Sequence, residues 1–119
     1  MSILEVSKIQ EIQREMVAER DWDQFHTPKN LAVAASVEAS ELLEIFQWLT
    51  PEEAGRISTD SKKYQAVQEE MADVLFYLLR LADILEIDLQ KALLAKMEKS
   101  KAKYPVEKSK GHAKKYDEL

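Results

Sequence analysis

Residues 31–49 read LAVAASVEASELLEIFQWL, and residues 62–86 read KKYQAVQEEMADVLFYLLRLADILE. In both, apolar side chains recur three and four residues apart, the period of one helix face. Leu31, Ala34, Ala35, Leu42, Ile45 and Leu49 make the first stripe. Ala66, Val67, Val74, Leu78, Leu81, Ile84 and Leu85 make the second. Each stripe is interrupted by two acids three residues apart: Glu38 and Glu41, then Glu70 and Asp73. Charges do not enter an apolar face without a partner, so both interruptions need a cause.

Working outward, the rest of the chain also reads as helix. Glycine occurs only twice and proline three times in 119 residues. That composition and periodicity predict an all-α fold, a bundle of four main helices with a short extra one. The length suits a single domain over residues 1–119. Ser2-Ile3-Leu4-Glu5 has the pattern of a capping box, opening a first helix that runs to Glu19 or Arg20. Asp21–Asn30 breaks the period. Thr27-Pro28 starts the first long helix, which runs to Leu49. Thr50-Pro51-Glu52-Glu53 repeats the signal for a short helix to about Ile57. After a turn over residues 58–61, the second long helix reaches Leu85. From Met71 onward it is apolar nearly all round, which implies a central position or a subunit interface. Asp88 caps a further helix over Leu89–Lys101, and residues 104–119 read as an extended tail.

The net charge of −5 argues against binding a nucleic-acid polymer, which needs a basic surface. With no cysteine, thiolate metal sites and thiol catalysis are excluded. Residues 1–10 lack the apolar run of a signal peptide, and no stretch is long and apolar enough for a membrane span. A cytoplasmic protein without membrane partners is therefore expected.

If the two stripes face each other, four carboxylates converge. Such a set protonates or binds a cation. An all-oxygen donor set suits a hard ion, Mg²⁺ or in its place Mn²⁺. Mg²⁺ usually keeps sites for waters and substrate phosphates, so a nucleotide is the natural ligand. Glu44 and Glu69 lie off the stripes and read as surface acids. There is no glycine-rich phosphate loop, and neither His26 nor His112 stands in a helical Glu-x-x-His pair. Trp22, Phe25, His26, Trp48 and Tyr77 could build an aromatic pocket for a base, although aromatics at helical spacing are more often core. The alternative from another class is a non-catalytic helical nucleotide-binding or adaptor protein. It would keep an apolar interface and need no metal.

Glu38-x-x-Glu41 followed by Glu70-x-x-Asp73 resembles the E-x-x-E…E-x-x-D signature of MazG-type, all-α nucleotide pyrophosphohydrolases. Within that superfamily, RDWDQFHTPKNL (20–31), EASELLEIFQW (38–48), EEMADVLFYL (69–78) and KMEKSKAKYPVEKSKG (96–111) are similar to the dCTP pyrophosphatase branch. The resemblance implies Mg²⁺-dependent hydrolysis of a nucleoside triphosphate to monophosphate and pyrophosphate. It implies Glu38, Glu41, Glu70 and Asp73 as metal ligands and catalytic residues. It further implies Trp22, Asp23, Gln24, Phe25 and His26 as the base-binding segment, and Trp48 and Tyr77 as further nucleotide contacts. Lys96 and Lys103 become phosphate partners, and a homodimer or homotetramer becomes the expected assembly. The chain departs from the branch at Gln13, where a histidine is frequent, and at Ser100, where asparagine is frequent. Both are candidate nucleotide contacts.

Overall fold

The computed structural model describes residues 2–119, all helix, turn and loop, with no strand among them. Six α-helices follow in order: α1 Val6–Glu19, α2 Pro28–Phe46, α3 Pro51–Gly55, α4 Ser61–Ile84, α5 Leu89–Lys103 and α6 Val106–Ser109. The chain divides into two compact units, one up to Glu86 and one from Ile87 to Leu119.

The first unit is built on α2 against α4, with α1 lying on α4. The half-buried positions of α2 are Ala34, Ala35, Glu38, Leu42, Ile45 and Phe46, so the stripe that holds the acids is the face turned inward. Among the described residues, Val17, Leu31, Leu79 and Ala82 are the apolar side chains wholly withdrawn from solvent. Two glutamines join α1 to α4. The Gln10 side-chain amide donates to the Leu79 carbonyl at 3.0 Å, and that of Gln13 to the Phe76 carbonyl at 2.9 Å. The Arg14 guanidinium grips Asp83 with two N–H groups, at 2.9 and 3.2 Å.

Helix starts follow their capping residues. The Thr27 hydroxyl accepts from the Asn30 amide, with Pro28 in the first turn. At Thr50 the full box forms: Thr50 Oγ1 accepts from the Glu53 amide at 3.1 Å, and Glu53 accepts from the Thr50 amide at 3.0 Å. Asp60 and Asp88 cap α4 and α5 with one bond each, their side chains accepting from the Lys63 and Lys91 amides. Thr50→Ala should lower stability by about 1 kcal/mol, read as an earlier thermal midpoint at fixed protein concentration.

Several boundaries differ from expectation; among the smaller shifts, the short helix ends at Gly55 and a 3₁₀ turn over Ile57–Thr59 leads into α4. The box at Ser2 does not form, and α1 begins at Val6 with no side-chain cap. Ile3 and Leu4 are exposed, so a turn there would gain a cap but bury nothing. The first long helix stops at Phe46 rather than Leu49. Thr50 must be extended to cap α3 and precede Pro51, so the chain leaves the helix earlier. The last long helix runs two residues further, to Lys103. The tail is not wholly extended: Val106–Ser109 makes a helical turn and Tyr116–Glu118 a 3₁₀ turn. Gly111, at φ +87°, lets the tail reverse. Tyr116 then meets the Tyr104 ring edge-on at 6.3 Å, with the Lys103 ammonium 4.6 Å over its own ring.

Candidate active site

Glu38, Glu41 and Glu70 each offer a carboxylate oxygen within 4.8 Å of the others, where α2 faces α4. The spacing of three residues puts Glu38 and Glu41 on one face of α2, and the helix pair brings Glu70 across to them. One oxygen each of Glu38 and Glu70 is buried and has no hydrogen-bond partner. Buried acceptors left this way are costly and require a ligand, a water or a proton.

The electrostatics take the same form. Glu38 is pushed up to about 7. Its protonated form alone can donate to the adjacent Glu41 carboxylate; burial, a hydrogen bond to Glu70, and the charges of Glu41 and Asp73 add to this. Glu70 is also raised, by burial first, while the hydrogen bond from Glu38 opposes the shift. Both carboxyls therefore sit above the ordinary carboxylate range. Asp73 lies one turn along α4 on an exposed position, outside the close trio, but near enough to act on both charges.

The donor set fits a hard divalent cation: all oxygen, anionic, and holding two unpartnered acceptors that an ion would satisfy. A pH dependence follows. Glu38 holds its proton more tightly folded than unfolded, so in chelator its contribution to stability is full below the ordinary carboxylate range. It is lost as pH rises through about 7. A divalent cation needs the ionised form, so its stabilising effect should grow over the same interval. Thermal midpoints with and without Mn²⁺ across that range check this. Curves that stay parallel would refute it.

The aromatic residues divide. After α1, Asp21 takes the left-handed conformation at φ +53°. The Trp22 amide donates to the Val17 carbonyl and that of Asp21 to the Ala18 carbonyl, closing the helix with a Schellman turn. That reversal directs Asp23–Phe25, a 3₁₀ turn, back along α4. The Asn30 side chain donates to the Phe25 carbonyl at 3.0 Å and closes the loop. His26 sits 6.4 Å from the Trp22 ring and meets Phe76 edge-on at 6.5 Å. Phe76 in turn meets Tyr77 at 5.2 Å. Tyr77 feels Glu38 and Asp73, which together with burial, the larger cause, raise its hydroxyl. Trp22, His26, Phe76 and Tyr77 therefore form a chain of rings from the loop to the carboxylates.

The other expected contacts are not members of that chain of rings. Phe25 is exposed, and Gln24 turns back to Asp21. Trp48, beyond the end of α2, is 85% exposed. Gln13 is 3% exposed and its side-chain oxygen has no partner. Lys96 and Lys103 stand on α5, in the second unit. Sequence reasoning passed over Phe76 and Arg80. Arg80 is 2% exposed, its Nε donating to His26 Nδ1 at 3.1 Å, with Asp23 and Asp83 oxygens at 3.5 Å. A lone arginine inside LFYLLRLADIL was the available signal.

A family model described as MazG-like matches residues 33–119. The dCTP pyrophosphatase 1 proteins of Bos taurus and Homo sapiens are 44% and 42% identical to this chain over 111 residues, 93% of its length. The chain spans 66% and 65% of the length of those relatives. A crystal structure of a pyrophosphatase from Archaeoglobus fulgidus superimposes with a TM-score of 0.76 at 44% identity, covering 88% of this chain and 96% of that one.

Proposed function

The chain belongs to the MazG-like family, and from that membership we propose that it hydrolyses nucleoside triphosphates to monophosphate and pyrophosphate. The observation that carries the reading is the convergence of Glu38, Glu41 and Glu70 with two buried, unpartnered oxygens. The relatives' names direct the substrate toward dCTP; a modified pyrimidine nucleotide and a role in clearing the nucleotide pool are part of the same proposal.

Water attacks the α-phosphorus, its oxygen bonds there, and the bond from that phosphorus to the bridging oxygen breaks. Pyrophosphate leaves with the bond's electron pair. Glu38, Glu41, Glu70 and Asp73 would hold Mg²⁺, or Mn²⁺ in its place; bound there, the ion neutralises phosphate charge and lets an acidic protein take an anionic substrate. Glu41 is assigned the proton of the attacking water. The Trp22–His26 segment, backed by Phe76 and Tyr77, receives the base and excludes water around it. Trp48 and Gln13 are assigned as further nucleotide contacts.

The proposed working form is an assembly of copies. Met71, Leu75 and Leu78 of α4 remain exposed, and with Leu42, Ala72 and Val74 they line an apolar groove of about 560 Å³. A second copy is the occupant proposed for this face, which a small core leaves uncovered.

A panel of ribo- and deoxynucleoside triphosphates with Mg²⁺ tests the chemistry. Pyrophosphate release with at least one of them is expected. Release of orthophosphate alone, or nucleotide binding that survives chelator without any turnover, would reject the reading in favour of a different hydrolase or a binding protein.

A further inference from the structure

Arg80 is a buried guanidinium in the middle of an apolar run of α4. Burying such a charge is costly, and an apolar side chain of similar volume often serves stability as well. Its neighbours are placed unevenly. The carboxylates of Asp23 and Asp83 stand at 3.5 Å, and Asp83 is already held by Arg14. The shorter contact, 3.1 Å, is to the neutral acceptor His26 Nδ1. Arginine has only N–H donors and does not lose its proton in proteins, so the ring nitrogen facing it must carry the lone pair. The proton of a neutral His26 then resides on Nε2.

We propose that Arg80 is a positioning residue that fixes His26 as an Nε2–H donor, so that the 22–26 segment presents a donor to the nucleobase and pairs with a carbonyl or ring-nitrogen acceptor on its edge. The base contact rests on the nucleotide reading above; the tautomer does not. The charged groups around the ring are Arg80 and Asp23, with Asp83 and Arg14 behind Arg80, and Arg20 over Trp22 at 5.8 Å. Burial first, then the Arg80 charge, holds His26 below its ordinary value, with Asp23 opposing. The neutral form therefore persists where the enzyme would work.

Two measurements test this. In long-range ¹⁵N–¹H spectra of the wild-type protein at about pH 8, His26 should appear with Nε2 protonated and Nδ1 bare. His112→Asn leaves a single histidine and assigns the signals. An Nδ1–H form, or an imidazolium at that pH, overturns the proposal with no variant needed. In Arg80→Met the spectrum should become a mixture of tautomers. Its KM for the best nucleotide, with Mg²⁺ present, should rise about fivefold at alkaline pH with little change in kcat. That penalty, taken as a ratio to wild type, should shrink as pH falls and His26 protonates, because imidazolium donates from Nε2 whatever Arg80 does. A ratio flat in pH means a merely structural arginine and rejects the proposal. Arg80→Lys, which keeps a cationic donor, should restore the ratio toward one. If wild type turns over no nucleotide, the enzymatic reading fails by itself. Nucleotide Kd then replaces KM, and the spectrum still decides the tautomer.

Discussion

Replacing Glu70 by Gln is expected to lower pyrophosphate release by about a thousandfold or more while leaving the protein folded and, in chelator, more stable than wild type. The two halves come from one cause. Glu70 carries a buried oxygen with no partner, and its carboxyl is raised by burial and by Glu41. A carboxylate in that position is unfavourable for the protein alone, and Gln removes the charge at nearly constant shape. The same substitution takes one anionic oxygen from the set that would hold the cation. Neutral amide oxygens bind hard ions less well than carboxylates, so affinity for Mn²⁺ should fall together with turnover. Chelator melts, Mn²⁺ titration and pyrophosphate assays measure the three effects on one sample. A variant that loses turnover but melts earlier than wild type in chelator would assign Glu70 a structural partner instead. Glu38→Gln should behave alike, and should also remove the pH dependence of stability that Glu38 introduces near 7.

What was legible in the sequence was local. Thr27-Pro28 and Thr50-Pro51 start helices where their capping chemistry places them, since both partners of each cap lie within three residues. The α2 stripe predicts most of the half-buried positions of its helix, Glu38 included, because a helix packed on one neighbour keeps its period; Phe46 is half-buried from outside the stripe. The α4 stripe is less faithful. Its later half buries Leu79, Arg80 and Ala82, with Arg80 against the 22–26 loop, and leaves Leu78, Ile84 and Leu85 exposed. Periodicity finds an apolar face but not which neighbour covers it, and this helix is apolar on more than one face. Asp73 falls outside the close trio. The pairings of Arg80 with His26 and of Gln13 with Phe76 span 54 and 63 residues. No spacing rule reaches across such a distance. The sign they left was a polar residue in an apolar period, which names the residue without naming its partner.

The same ambiguity about α4 yields a second large effect. Met71→Glu should be nearly silent in a single copy, because Met71 is 57% exposed and surface substitutions seldom exceed about 0.5 kcal/mol. If a second copy fills the groove over Leu42, Met71, Leu75 and Leu78, the same change buries an unpartnered carboxylate. That costs about 3 kcal/mol and weakens association roughly a hundredfold. Sedimentation across a range of concentrations should then show the variant dissociating where wild type does not. Its thermal midpoint should fall and depend less on protein concentration than that of wild type, whose assembled form is stabilised by mass action. Activity should fall with it, since Met71 lies between Glu70 and Asp73 in sequence and α4 carries both. A variant of wild-type mass, midpoint and turnover would leave the groove as bare surface and remove the case for assembly through this face. Leu78→Glu, one to two turns further along the same helix, should have the same outcome, because it enters the same groove from an independent position.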